Sequence, residues 1–416
     1  MHILIIHQAF AGLDEPGGTR HIEIARRMVD SGHRVTIIAS PVSYLTGKAE
    51  TKKGKLFHRE TPQPGLEILR SYTFSAIHRS FFHRLLGFFS FMLTSWITGL
   101  QVRKVDLVWG TSPPLFQVAT AWLLARMKRV PLLFEVRDLW PAFAVAIGVL
   151  RNKMLIAASE WLERFLYRQA DCVVVNSPGF IQHVTRRGAK RVELVPNGVD
   201  PAMFDPQRDG SAFRRQHNLT GKFIVLYAGA HGISNDLEVV IRTALLLKEK
   251  PNIRFVLIGD GKEKRNLRSS AQEGGLDNLL FLPAVPKNQM AEALAASDAC
   301  IAILKPIELY RTTYPNKVFD YMAAGRPVLL AIDGVIRQVI ETSKSGVFVP
   351  PGDANALASA VEELANHPLQ TKEMGMAGRQ YVQQNFNRQQ QADKLIHIVE
   401  ELEKSIGRHR FFVHRV

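Results

Sequence analysis

KFIVLYAGAHGISNDLE, residues 222–238, carries a run of apolar, β-branched and aromatic residues that stops at Gly229, then a histidine between glycines, then apolar residues at helical spacing. A buried strand that hands over to a glycine loop and a helix is the repeating unit of a parallel α/β sheet. The pattern continues through IRFVLIGD (253–260), NLLFLP (278–283), ACIAIL (299–304) and PVLLAI (327–332). Before a polar, proline-bearing stretch from Asn197 to Gly221 it has already run once, as HILII (2–6), RVTIIA (34–39), DLVWG (106–110), PLLFEV (131–136), DCVVVN (171–176) and VELVP (192–196). Short apolar runs alternating with longer amphipathic ones predict crossover helices on parallel sheets. The expected class is α/β, with two doubly wound, Rossmann-like domains facing a cleft. Their spans are placed at residues 1–205 and 206–387, and a helix within 388–416 is expected to return toward the first domain.

A chain of 416 residues exceeds one ordinary core, and 46% hydrophobic with 22% charged residues matches a globular enzyme. The two cysteines, Cys172 and Cys300, sit in apolar runs and read as buried hydrophobes of a reducing compartment, not as a disulfide framework. MHILII lacks the basic start of a secretory signal, so the expected location is cytoplasmic. A formal charge of +15 favours anionic partners: a phospholipid surface, nucleic acid or a phosphate-bearing small molecule. Neither zinc-finger spacing nor an RNP motif occurs, so nucleic acid is not expected as a partner.

LLGFFSFMLTSWITGLQV, residues 85–102, has no charge over eighteen residues, and Ser90, Thr94, Thr98 and Gln101 recur as one polar stripe. That favours an amphipathic helix over a membrane span. Two readings stay open: a core helix under the sheet, or an interfacial helix over residues 81–102. In the second, His78, Arg79, His83, Arg84, Arg103 and Lys104 meet anionic headgroups.

Candidate chemistry gathers where strands end. Gly17, Gly18 and Thr19 open a helix whose unpaired amides suit a phosphate, although a plain turn fits as well. Without GxGxxG a dinucleotide enzyme is disfavoured. Arg137 and Asp138 follow PLLFEV at the carboxyl edge, where open α/β sheets place ligands, and a carboxylate there can take a proton or orient a hydroxyl; a surface ion pair is the alternative. VPNGVD (195–200) reads first as a tight turn and hinge. Gly229 and Gly232 flank His231, which can approach a diphosphate or a sugar hydroxyl or simply shape the turn.

In YPNKVFDYMAAGRPV (314–328), Pro315, Asn316, Lys317 and Val318 form a helix start where free amides, the positive dipole end and an ammonium converge. Asp320 lies about one turn deeper and suits the two hydroxyls of a ribose. Together they describe a nucleoside diphosphate.

Through PGGTRH, VRDLWP, VPNGVD, YAGAHG and above all PNKVFDYMAAGRPVL, nearly the whole chain resembles the retaining glycosyltransferases of GT-B fold, family 4, of the bacterial cell-surface polysaccharide type. The resemblance implies a nucleotide-sugar donor, with uridine the base by family habit, and Asp320 at the ribose. It implies Lys317 as the main catalytic group and Asp138 beside it, with Arg137 contacting sugar or acceptor. The family's first acidic position falls at Thr312, and its usual arginine and lysine after the strand glycine are replaced by Ala230 and the SNDLE segment. Diphosphate charge is left to Lys317, Lys305 and His231. Front-face attack needs no protein nucleophile, and no Asp-x-Asp is present, so neither metal nor cofactor is expected. The acceptor is expected to be a saccharide or lipid-linked saccharide at the inner face of the cytoplasmic membrane. A nucleotide-sugar 2-epimerase and a non-catalytic membrane-surface binding protein are the rival readings.

Overall fold

The computed structural model describes residues 1–12, 18–42, 56–75 and 81–413. Gly17, His78 and Arg79 lie outside the described residues, as does the side chain of Arg84. Contacts divide the chain into two compact units, Met1–Val195 with Gln389–Val416, and Pro196–Arg388. The expected first boundary, after residue 205, lies ten residues beyond this division, which falls inside VPNGVD: Val195 belongs to the first unit and residues 196–200 to the second, where Val199 bridges Asn387.

In the first unit eight strands form one sheet: β1 (His2–Ile6), β2 (Arg34–Ala39), β3 (Phe57–Gln63), β4 (Leu66–Ser71), β5 (Leu107–Ser112), β6 (Leu132–Val136), β7 (Cys172–Val175) and β8 (Val192–Leu194). Their order is β3-β4-β2-β1-β5-β6-β7-β8, parallel except for β3, which runs antiparallel to β4. The chain starts at the centre, builds to one edge and crosses back to build the other, which makes the sheet doubly wound. The second unit has six parallel strands, β9 (Phe223–Ala228), β10 (Ile253–Ile258), β11 (Leu279–Leu282), β12 (Ala299–Ile303), β13 (Val328–Ala331) and β14 (Gly346–Phe348), ordered β11-β10-β9-β12-β13-β14. Both are Rossmann-like. Three strands lie outside the sequence expectation. β3 (FHRETPQ) is mostly exposed and polar, and it pairs with β4 around the Pro64–Gly65 turn, where Gly65 has φ +86°. β14 is three residues long, too short for periodicity to register.

The helix Arg388–Val413 is part of the first unit's core from Gln389 onward, since Leu395 and Val399 are fully buried with Ile3, Ile5, Ile24 and Trp109. Arg27 holds Asp393 at 2.7 Å and Arg191 holds Glu401 at 2.6 Å along its rim. Cys172 and Cys300 are buried and unpaired, and burial pushes each thiol up to about 12.

No helix among the described residues is long and apolar enough to cross a membrane. The segment around 85–102 is the helix Phe81–Gln101; Ser90, Thr94 and Thr98 of its polar stripe face the protein, while Gln101 is exposed. Thr98 accepts from the Ser71 hydroxyl at 2.9 Å, Thr94 donates to the Tyr72 carbonyl at 2.6 Å, and Ser90 accepts from the Phe74 amide at 2.9 Å. Leu86, Phe89, Leu93 and Leu100 consequently point outward.

Truncating Leu395 to Ala removes a side chain with no exposed surface and is expected to destabilise the first unit by about 2–5 kcal/mol. Urea unfolding followed through buried Trp109 reads this directly; an unmoved midpoint would detach the C-terminal helix from that core.

Candidate active site

At the end of β9 the second unit narrows around one ammonium. Lys317 is the second residue of the helix Asn316–Ala323, which follows Pro315 (φ −68°, ψ 124°) and carries no side-chain cap; the Asn316 and Lys317 amides, ahead of the Val318 N–H that bonds the Pro315 carbonyl, are the ones a ligand could use. Lys317 keeps part of its stem at the surface, yet its Nζ is buried without a hydrogen-bond partner. Nζ lies 3.9 Å from the centre of the Tyr227 ring, and burial lowers its pKa to about 7. Gly229 sits against it at φ +148°, a conformation that strains any residue with a Cβ, and a Cβ there would stand 2.7 Å from Nζ and push the amine aside.

Tyr321 fixes the helix to the strand: its hydroxyl accepts from the Ala228 amide at 2.9 Å and donates to the Ala228 carbonyl at 3.2 Å. Val318 and Phe319 are fully buried beneath it, and the Val318 amide donates to the Pro315 carbonyl at 3.1 Å, so Val318 anchors the helix. Asp320 is half-buried one turn along. Asn316 is exposed, and its side-chain oxygen accepts from Asn197, which ties the VPNGVD turn to the helix start. The helix closes where Gly325 takes φ +66° and Arg326 N–H bonds the Tyr321 carbonyl at 3.0 Å.

His231 is fully buried, both its ring nitrogens lack hydrogen-bond partners, and burial, followed by nearby Lys264, lowers its pKa to about 4. Its backbone is stitched to the loop after β10 by His231 N–H to Asp260 O (2.8 Å) and Glu263 N–H to His231 O (3.0 Å). Gly259 and Gly261 permit this closeness, since a Cβ would lie 1.8 Å from the Gly229 oxygen or 2.3 Å from the His231 oxygen. These two glycines were legible only as the Gly-Asp-Gly ending of the second strand. Lys305 follows β12 and lines a separate cavity of about 200 Å³ with Pro306, Ile307, Glu308, Tyr310 and Arg311.

The first unit holds a second cluster, on the loops that follow β1 and β6. Gly18 and Thr19 precede the helix Arg20–Asp30, as the glycine loop predicted. Thr19 is buried and donates its hydroxyl to Glu23, while Gly18 faces Arg137, whose Nη2 would lie 3.8 Å from a Cβ. Arg137 Nη1 donates to His7 Nε2 at 2.9 Å, and the His7 and His21 rings lie 4.2 Å apart. His21 Nε2 donates to Glu135 Oε2 at 2.6 Å, and Arg20 Nε donates to Glu135 Oε1 at 2.9 Å. Burial alone would raise the Glu135 carboxyl, but His21 and Arg20 hold it well below the usual range. Burial in turn lowers the pKa of His7 and, against the pull of Glu135, that of His21. Asp138, half-buried beside this cluster, is raised by burial to about 6, against the pull of Arg137. His7, Arg20, His21 and Glu135 were not anticipated. The available signal was Glu135 itself, a carboxylate inside an otherwise apolar strand.

Each unit matches a family model: the glycosyl transferase 4-like domain over residues 17–198, and glycosyl transferases group 1 over residues 222–367. The chain belongs to the family 4 glycosyltransferases. WcaI of Escherichia coli, named for colanic acid biosynthesis, is 25% identical over 82% of this chain and 86% of its own. Among solved structures, sucrose-phosphate synthase of Thermosynechococcus elongatus superposes with TM-score 0.77 at 20% identity, covering 97% of this chain and 99% of that one. Anabaena HepE in complex with UDP-glucose gives 0.71 at 16% identity, covering 96% and 100%. The fold is GT-B. In this glycosyltransferase the group 1 match contains Lys317 and the 4-like match contains Arg137 and Asp138.

Replacing Glu135 by Gln removes the carboxylate that both Arg20 and His21 bond in a fully buried site, a change expected to cost about 3–5 kcal/mol at neutral pH. Glu135 has a depressed folded pKa, so its stabilisation is present above the unfolded carboxylate value of about 4.3 and is lost as pH falls toward the folded value. Urea titrations should therefore show a constant gap between wild type and variant from neutral pH down to about 5, narrowing below it. A gap that widens on acidification would contradict the assigned charges.

Proposed function

We propose that this glycosyltransferase moves a sugar from a nucleoside diphosphate sugar, a UDP-sugar, to a saccharide or lipid-linked acceptor in bacterial surface polysaccharide assembly, with retention at the anomeric carbon. The observation that carries the reading is the buried, unpartnered Lys317 ammonium pressed against the backbone of Gly229. A diphosphate would restore the charge that burial suppresses, and the open helix-start amides would share it. The name of WcaI supports the polysaccharide setting, and HepE with UDP-glucose supports the donor class.

The C1–oxygen bond to the diphosphate breaks with its electron pair passing to the phosphate oxygen. The acceptor hydroxyl oxygen bonds C1 on the same face, and its proton passes to that phosphate oxygen. Charge on the leaving group grows along this path, so Lys317 and the amides stabilise the transition state more than the bound donor. Asp320 is assigned to the ribose hydroxyls and His231 to the donor. Arg137 and Asp138 are assigned to the acceptor, with Asp138 able to exchange a proton near neutral pH. Neither a metal nor a cofactor is assigned a step. Attachment is proposed as peripheral, on the inner face of the cytoplasmic membrane.

With a free pKa of about 7, Lys317 is largely neutral in mildly alkaline solution and must bind a proton when diphosphate arrives. Titration calorimetry of a nucleotide sugar in buffers of different ionisation enthalpy should show uptake approaching one proton near about pH 8 and little near about pH 6. Lys317→Ala should remove that uptake and lower acceptor-dependent nucleotide release by about a hundredfold or more. Uptake that survives in Lys317→Ala, or release that is unchanged, would remove Lys317 from the site.

A further inference from the structure

The helices Phe81–Gln101, Leu115–Lys128 and Lys153–Gln169 form one layer of the first unit, the first packed on the second and the second on the third. Their outer side is unusually apolar. Phe89, Leu93, Met127, Met154, Leu155 and Trp161 are each between 42% and 82% exposed. Aromatic contacts join the helices beneath them: Phe89 to Phe116 at 5.0 Å, and Trp122 to Phe165 at 4.9 Å, with Trp161 stacked on Phe165 at 5.6 Å. The patch is therefore continuous across three elements. Ordinary surface helices bury the apolar stripe and expose the polar one. Phe81–Gln101 does the reverse with Ser90, Thr94 and Thr98, so its outward hydrophobicity is built in.

Charge decides the occupant. Arg103, Arg126, Arg129, Lys153 and Arg168 are exposed on these helices or at their ends. The only acidic residues in the three helices are Glu160 and Glu163, and both are engaged: Glu163 with Arg187 at 3.0 Å and His183 at 2.9 Å, Glu160 with Arg164 at 3.2 Å. A second copy of this chain would set cation against cation. A bilayer containing anionic lipid presents hydrocarbon and negative headgroups in one plane, which this face matches in both respects.

We infer that the three-helix face docks on an anionic phospholipid bilayer, with the apolar side chains at the acyl boundary and the Arg and Lys side chains in the headgroup layer. This rests on the peripheral-membrane reading above and widens it from one helix to a surface. The test is flotation of the full chain with vesicles of phosphatidylcholine alone or with about a third phosphatidylglycerol, at low and high salt. Binding should require phosphatidylglycerol and weaken as salt rises. Leu93→Ser with Trp161→Ser, and separately Arg126→Glu with Lys153→Glu, should each weaken it about tenfold or more. Leu369→Ser, at a residue 79% exposed on the second unit, should not. Brominated acyl chains should quench tryptophan fluorescence in the unaltered protein, a readout that needs no variant to fold. Equal binding to neutral vesicles, no binding at all, or a concentration-dependent dimer abolished by the same substitutions would overturn the inference. Nucleotide-sugar proton uptake is measured without lipid, so the donor reading can stand if this one falls, and the reverse.

Discussion

A buried amine with no hydrogen-bond partner among the described residues is the constraint around which the second unit is arranged. Burial holds Lys317 near neutrality, and the nearest stabilising group is the face of Tyr227. That arrangement costs free energy in the empty protein, because desolvating a charge is compensated only by pairing. Neighbouring positions follow from it. Gly229 must lack a side chain, Gly259 and Gly261 must let two strand-end loops touch, and Tyr321 must hold the helix against Ala228. A change at any of these moves the amine.

The first unit treats buried charge in the opposite way. Glu135 is fully enclosed, yet both its oxygens are occupied, one by Arg20 and one by His21. Arg20 spends a further hydrogen bond on the Val195 carbonyl, which fixes the end of the segment after β8. The carboxylate is thus paired at both oxygens, although the Nδ1 atoms of His7 and His21 in the same cluster are buried without hydrogen-bond partners among the described residues. The His21 ring lies against that of His7, which accepts from Arg137, and burial raises neighbouring Asp138 to about 6 against the pull of Arg137. The two units thus differ in how a buried charged side chain is met: Glu135 is bonded at both oxygens, while the Lys317 Nζ has only the face of Tyr227 beside it.

Much of this was readable from sequence where the signal is local. Eleven strand segments were visible as apolar runs, since strands buried on both faces need no alternation. The helix start at Asn316 and its stop at Gly325 were visible because proline and glycine punctuate the chain. The β3–β4 hairpin was not: β3 is an exposed edge strand without an apolar face, and the buried β4 interrupts its apolar residues with Glu67 and Arg70. Nor could the Glu135 cluster be assembled: Arg20 and His21 lie 115 and 114 positions away, and only the sheet order brings β1 and β6 near one another. Lys305 shows the converse limit. A lysine after a strand looks equivalent to Lys317, but one borders an open cavity and the other is enclosed.

The direction of a polar stripe is likewise invisible in one dimension. Ser90, Thr94 and Thr98 at helical spacing fit a helix with its hydroxyls in water as well as one with its hydroxyls on the protein. Tertiary partners choose: Ser71, Tyr72 and Phe74, at the end of β4, offer hydroxyl, carbonyl and amide groups that would otherwise be left without hydrogen bonds under a helix. Satisfying them turns leucine and phenylalanine outward. A formal charge of +15 then acquires meaning from its placement, since cations beside outward apolar side chains favour an anionic interface, while the same cations spread over a polar surface would only confer solubility.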